Sequence, residues 1–459
     1  MFGQLLGPEI QTLIHERNFS ALKEIFCEWP PADVAELITD LADEDQVILF
    51  RILPRGLAGQ AFEYLSRDDQ KRLLQAMGKE EVVKIINEMS PDDRTALLEE
   101  LPSSAVTQLL QLLTPEERAK AKDLLGYREH SVGRLMTPDF IAIKDDWTVT
   151  QVLDHVRHVG KDSETINVLY VVDEQSRLID DVRIREFLLR PVSAKVSEIR
   201  NSNFVSLKAT DSEADAIAVF RKYDRTALPV VDRDDKLVGI VTVDDILDVA
   251  EKEATKDIQK VGGSEALDAP YLSIRWAHMI RKRAPWLVIL FLSEMLTATA
   301  MSFFKDEIAR AVVLALFVPL IISSGGNSGS QATTMIIRAM AIGEVALRDW
   351  WRVMRREILS GLALGVILGC IGFLRIAVWS MFSHLYGPHW PLVGLTILCS
   401  LIGVVMWGTL AGSMLPFALR RMGFDPATAS APFVATLVDV TGLIIYFTAA
   451  MIILRGSLL

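Results

Sequence analysis

Apolar positions are distributed unevenly along the chain. Up to about Asp268 the pattern is that of a soluble protein, and after Ala284 it is that of a membrane protein. Five apolar stretches occupy approximately residues 284–304, 308–341, 358–382, 391–419 and 429–454. Each is long enough to cross a hydrocarbon core of about 30 Å as a helix. An odd number of crossings puts the two termini on opposite sides. Arg281-Lys282-Arg283 precede the first span; Arg338, Arg348, Arg352, Arg355 and Arg356 lie between the second and third; Arg420-Arg421 follow the fourth. Lys305-Asp306-Glu307 holds one Lys, and residues 384–390 hold no Lys or Arg. The positive-inside rule therefore predicts a cytosolic soluble part and a C-terminus outside.

The soluble part contains two repeats. Leu41-Ala42-Asp43-Glu44-Asp45, Leu65-Ser66-Arg67-Asp68-Asp69, Met89-Ser90-Pro91-Asp92-Asp93 and Leu113-Thr114-Pro115-Glu116-Glu117 recur every 24 residues. In the last three, Ser or Thr stands where a helix N-cap belongs, with acids in the first turn. Each unit reads as two short helices, so the segment to about Tyr127 is expected to be a helical solenoid. The second repeat pairs residues 136–143 with 199–207, and Leu169-Tyr170-Val171-Val172-Asp173 with Leu228-Pro229-Val230-Val231-Asp232. Each copy reads strand, helix, strand, strand, helix. A mostly polar stretch, 246–273, leads to the first span as a helix and linker. The expected domains are a helical-repeat domain at 1–130, a paired α/β module at 131–250, a linking helix at 251–275 and a five-helix membrane domain at 276–459.

Charge narrows the function. The 459 residues carry a net −11, and acidic runs such as Asp92-Asp93, Asp234-Asp235 and Asp244-Asp245 concentrate in the soluble part. That balance argues against nucleic acid, whose phosphates need clustered Lys and Arg, and suits a cation. The three cysteines, Cys27, Cys370 and Cys399, fit no zinc spacing and no disulfide framework. No signal peptide is visible. No nucleophile–base pair, phosphate loop or metal-hydrolase motif is present, so an enzyme is not expected.

The candidate chemistry lies in two spans. The second carries the polar run 323–334, with Pro319, Gly325, Gly326, Asn327 and Gly329; irregular backbone at that depth is tolerated only within protein or beside water. The fifth carries Pro432, Thr436, Asp439, Thr441 and Gly442. Asp439 falls close to mid-bilayer, where a carboxylate is a functional site by default. Ala431, Ala435 and Asp439 share one helical stripe, which leaves room for a hydrated ion. Pro432 lacks an N–H, which predicts a free Thr428 carbonyl. Oxygen donors suit magnesium, which keeps most of its water and needs one or two carboxylates. Glu294 in the first span is a secondary intramembrane acid, and His384 and His389 bracket an outer turn.

These features carry a resemblance. Residues 227–232 through 237–245 resemble one half of a tandem CBS-domain pair. The order solenoid, CBS pair, linking helix and five spans is similar to the MgtE-type magnesium channel family over essentially the whole chain. The specific motifs are Phe317-Val318-Pro319-Leu320 with residues 325–331, and Asp425-Pro426-Ala427 with residues 432–442. The resemblance implies a plasma-membrane homodimer in contact with lipid, with the ion path between subunits. Spans two and five would line it, including Asn327, Pro319, Thr436 and Gly442. Asp439, helped by the backbone of Ala435, would hold hydrated magnesium. Ala431 stands where the family has Asn. The resemblance further implies that cytosolic magnesium shuts the pore by binding acids that match here as Asp92, Asp93, Asp224, Asp245, Asp248, Glu253 and Asp257. Clustered carboxylates repel, and cations bridging them favour a compact arrangement. Ala214 and Lys256 replace acids common in the family. The family also binds ATP at its CBS pair, whereas here Arg225 replaces the base-stacking aromatic and Ile179-Asp180-Asp181 replaces a Val-Gly ending.

Two other readings keep the same membrane domain. One is a broader divalent pathway for manganese, cobalt or nickel, or a proton-coupled carrier; the absence of Cys and His ligands favours magnesium. The other is a tethered nucleotide sensor that transports nothing, against which a mid-membrane Asp argues.

Overall fold

Each 24-residue step becomes a pair of short helices in the structure, a computed structural model that describes residues 2–26, 29–201, 203–267, 271, 274–382 and 386–455. Cys27, Ser202 and His384 lie outside the described residues. The chain divides into two units, Met1–Glu251 and Lys252–Leu459.

In the first unit the solenoid runs from Phe2–His15 to Pro115–Leu125 and closes around Leu22, Phe26, Leu37, Leu49, Phe62, Ile86 and Leu97. Ser66 and Thr114 cap their helices by accepting from the backbone N–H of Asp69 and Glu117. Ser90 does not cap α1 (Pro91–Glu99). Its hydroxyl instead donates to Asp93 at 3.1 Å, and its own N–H goes to Glu63 Oε1 at 2.7 Å. A second periodic device seals the opposite helix ends, whose last carbonyls would otherwise be orphaned. Gln46 Nε2 donates to the Leu41 carbonyl and Gln70 Nε2 to that of Phe62. Arg94 donates to Ile86 and Met89, and Arg118 to Leu110 and Leu113. Arg94 is only 1% exposed, and its charge is met by Glu117 of α2 (Pro115–Leu125) at 2.5 Å.

The α/β module repeats one motif twice. β1 (Ala142–Lys144), α3 (Val149–Val159), β2 (Val168–Val172) and β3 (Leu178–Arg183) match β4 (Leu207–Lys208), α4 (Glu213–Tyr223), β5 (Ala227–Val231) and β6 (Leu237–Thr242). In each sheet the first pairing is parallel and the second antiparallel, with Lys144 opposite Val172 and Lys208 opposite Val231. The copies meet hairpin to hairpin. The Leu178 N–H donates to the Asp235 carbonyl and the Leu237 N–H to that of Ser176. Val168, Tyr170, Leu178, Val231 and Ile240 form the core between them. The helix α5 (Val243–Val261) starts directly from β6, earlier than the expected linker helix.

In the second unit, five helices are long and apolar enough to cross a membrane. They are α6 (Trp276–Phe303), α7 (Val318–Ala341), α8 (Trp350–Phe382), α9 (Trp390–Arg421) and α10 (Ala431–Ile453). The second span is not one continuous helix from residue 308. A short helix, Lys305–Arg310, breaks at Ala311, and a 3-10 turn, Val312–Phe317, leads into α7. Tyr446 of α10 holds that turn by donating its hydroxyl to the Leu314 carbonyl at 2.9 Å.

The glycine run of α7 does not loosen the backbone; the helix is regular through it. Its glycines permit contact. A methyl added at Gly408 of α9 would sit 2.5 Å from the Gly325 carbonyl oxygen, and one at Gly412 would collide with that of Gly329. Thr333 donates to the Gly412 carbonyl at 2.8 Å across the same seam. On the other face of α9, Gly361, Gly365 and Gly369 of α8 admit the backbones of Met406, Ile402 and Leu398. Within lipid, such close approach replaces the missing hydrophobic driving force between helices. Gly412→Leu is therefore expected to abolish a monodisperse peak in size-exclusion chromatography. Gly7→Ala, whose added methyl meets nothing within 4 Å, should leave elution and melting unchanged.

Candidate ion pathway and regulatory acids

Asp439 sits in the middle of α10, half-buried, where that helix meets Gly326 of α7. A methyl added at Gly326 would stand 3.4 Å from Asp439 Oδ1 and 3.4 Å from Ala435 Cβ. No side chain larger than hydrogen occupies that position, so the carboxylate lies close against the α7 backbone. Glu294 of α6 is the acid whose charge reaches it. Along α7, Ser323, Asn327, Gln331, Thr334 and Arg338 are exposed, a polar stripe at helical spacing. Pro319 is exposed in the first turn of the same helix.

Two residues expected along the pathway point elsewhere. Thr436 is buried and donates to the Pro432 carbonyl at 3.0 Å, and Gly442 packs against Val404 of α9. Both lie inside the single subunit. Pro432 also plays a different part from the one expected. It stands in the first turn of α10, where its missing N–H costs nothing, and Thr428 belongs to a separate 3-10 turn, Pro426–Thr428. The Ala431 carbonyl accepts from Ser330 of α7 at 3.1 Å.

In the first unit, the 24-residue solenoid brings Asp92 to a set of acids from the α/β module. Asp92 is 7% exposed and its Oδ1 has no hydrogen-bond partner. Burial, then the neighbouring Asp93, pushes its carboxyl up to about 6. Burial pushes Glu63 up to about 7 against the Ser90 N–H, with Asp93 and Asp92 adding to the rise. Asp245, which accepts from the Thr242 hydroxyl at 2.6 Å, lies well above the ordinary range through burial and then the charge of Asp92. Glu164, nearer the surface, feels Asp92 and Asp244. Asp93 is already engaged, with Arg67 at 3.3 Å. Among the described residues no three His, Cys, Asp or Glu side chains stand ready to hold a bare ion.

The remaining candidate acids are dispersed. Asp224 ends α4 in the left-handed region (φ 48°) and is exposed, as is Asp248. In the second unit, Glu253 is paired with Lys256 at 2.8 Å. Burial, then Asp425, raises the Asp257 carboxyl above its ordinary value. Lys260 joins Asp425, ahead of α10, at 2.6 Å, and Val261 packs against Ile337, Ala427 and Ala429. The end of α5 is thereby fastened to α7 and the lead-in to α10.

Glu63 carries no feature singled out in the sequence, yet the 24-residue step reveals it. Asn87 is its counterpart, and its Oδ1 accepts from the Thr114 N–H as Glu63 accepts from that of Ser90. The two oddities of the CBS-like pair also explain each other: Arg225 lies 3.0 Å from the buried Asp181.

The family models for an intracellular N domain, CBS domains and a divalent cation transporter match residues 29–130, 132–191 with 196–252, and 318–449. The chain is 36% identical to the magnesium transporter MgtE of Thermus thermophilus, over 98% of this chain and 99% of the relative. It belongs to the MgtE transporter family. A Bacillus subtilis MgtE magnesium transporter is 29% identical over 91% of this chain and 93% of its own. A solved cytosolic domain of the Mg2+ channel MgtE in complex with ATP matches with a TM-score of 0.50 and 34% identity, covering 52% of this chain and 98% of its own. The MgtE family is one of membrane transporters rather than enzymes.

Proposed function

We propose that this chain carries magnesium across the plasma membrane, along a path formed by α7 and α10 of two subunits, and that cytosolic magnesium closes that path. The observation carrying this reading is Asp439, half-buried beside Gly326 in a membrane helix, next to a helix with an exposed polar stripe. Such a surface is costly against hydrocarbon. A second copy facing it across water removes the cost. Hard oxygen donors suit magnesium, which binds through its water shell. The magnesium transporters among its relatives support the same ion. The arginine-rich connections support a cytosolic first unit and a C-terminus outside.

The regulatory reading rests on Asp92, a buried acid with a free oxygen among Glu63, Asp93, Glu164 and Asp245. A hydrated divalent cation there would relieve the repulsion and hold the solenoid on the α/β module. Asp224 and Asp248 extend the acidic set of the first unit; in the second unit Glu253 and Asp257 are further candidate acids, with Lys256 already on Glu253. ATP at the CBS-like pair would require the Arg225–Asp181 ion pair to open.

The experiment is magnesium flux into liposomes, with magnesium varied on the side of the first unit and manganese, cobalt or nickel as competitors. Flux that falls as that magnesium rises is expected. Flux indifferent to it would remove the regulatory reading, and equal competition by the softer ions would replace magnesium selectivity with a broad divalent pathway.

A further inference from the structure

A cavity of about 660 Å3 opens in the first unit where the chain leaves α2 and meets the second copy of the α/β motif. Tyr127, Arg128, Lys208, Thr210 and Arg233 line it, with the Val231–Asp232 corner at its base. The protein is acidic overall, yet three cations converge here, and none has an ion-pair partner among the described residues. The single carboxylate, Asp232, is already engaged: its Oδ1 accepts the N–H groups of Asp234 and Lys236 at 2.8 and 2.9 Å. The Tyr127 ring is set in place by Gly133, where any added methyl would lie 2.5 Å from the ring.

The internal repeat supplies a control. The same backbone bonds dock the preceding segment on each copy: the Val132 and Gly133 N–H groups donate to the Asp211 and Ala209 carbonyls, as those of Val196 and Ser197 donate to Trp147 and Asp145. With the strand registers, these bonds match each lining residue to one in the first copy. Arg128, Lys208 and Arg233 against Asp232 give the second copy a net +2. The matching positions of the first copy hold Lys144, Arg190 and Lys195 against Asp145, Asp146, Asp173 and Glu174, a net −1. The backbone is shared and the charge is inverted, so the cationic character belongs to this cavity and not to the fold.

We infer that this cavity binds a small phosphorylated anion of nucleotide size. Its volume lies within the range of small-molecule sites, about 300–1,000 Å3. Two guanidinium groups and an ammonium suit phosphate oxygens, while Tyr127 and Val231 offer an apolar wall. The site is separate from the Arg225–Asp181 ion pair and independent of the ion pathway.

The test is calorimetric titration of the full-length protein in detergent, without magnesium, using ADP and inorganic tripolyphosphate. Binding of at least one is expected, weakened tenfold or more by Arg128→Glu with Arg233→Glu and unchanged by Lys195→Ala at the matching position of the first copy. Preference for ADP would identify a nucleotide, and equal binding would identify recognition of phosphate alone. Failure of both probes to bind, or binding that survives the double charge reversal with unaltered melting, would overturn the inference. Arg128 and Arg233 are exposed, so the double variant is expected to fold.

Discussion

Asp439→Ala is expected to reduce magnesium flux about 100-fold, at the upper end of the roughly 10–100-fold losses caused by disturbing residues one shell away from a metal. The carboxylate is the only acid in the middle of α10, and it lies beside Gly326, next to the exposed polar stripe of α7. Removing its charge leaves nothing on that surface to offset the cost of bringing a divalent cation to mid-membrane. Folding should survive, because the described structure gives Asp439 no hydrogen bond or ion pair to lose. Asp439→Asn separates charge from shape: it keeps the volume and should lose nearly as much flux. Radiotracer or dye-reported flux in liposomes, with size-exclusion elution as the control for folding, measures both variants. Wild-type flux in Asp439→Ala would move the ion site off α10.

Asp92→Asn with Asp245→Asn is expected to leave flux high at magnesium levels that close the wild type, and to change how stability depends on pH. Asp92 and Glu63 are raised to about 6 and about 7 from ordinary values of 3.8 and 4.5, and Asp245 is raised well above 3.8. The folded protein therefore holds these protons more tightly than the unfolded chain does. Without magnesium, stability should fall as pH rises from about 4 to about 7, and the full penalty should persist above that. Arg67, on Asp93, offsets only part of it. Under the proposed regulation, magnesium would reverse the balance by binding the ionised acids; at 100 times its dissociation constant a single site contributes about 2.7 kcal/mol. Thermal unfolding of the full-length protein should thus show a melting temperature several degrees lower at pH 8 than at pH 5. Millimolar magnesium should close that gap. In the double variant both the pH slope and the magnesium effect should shrink sharply. A variant that responds to magnesium like the wild type would locate the regulatory ion elsewhere.

Much of this was readable along the chain. Five spans, a solenoid with a 24-residue step and a duplicated α/β motif all follow from patterns that local interactions enforce: long apolar runs for lipid, N-cap residues for short helices, and the matching short apolar runs 169–172 and 228–231 for buried strands. Asp439 was readable for a similar reason, since a carboxylate within an apolar run is conspicuous without any knowledge of its neighbours. What tertiary structure alone decided is which side of each helix meets a neighbour. Thr436 and Gly442 share a helix with Asp439, yet their faces pack inside the subunit. The glycines of α7 looked like flexibility and became contact, because α9 brings Gly408 and Gly412 against them. Asp181 and Arg225, separate departures in sequence, became one ion pair. Glu63, Asp92 and Asp245 lie far apart in the chain, and their shared rise in pKa exists only because folding removes them from water together. Sequence records the period and the chemistry of each element; the pairing of faces between elements is a long-range property, set by packing that no local pattern specifies.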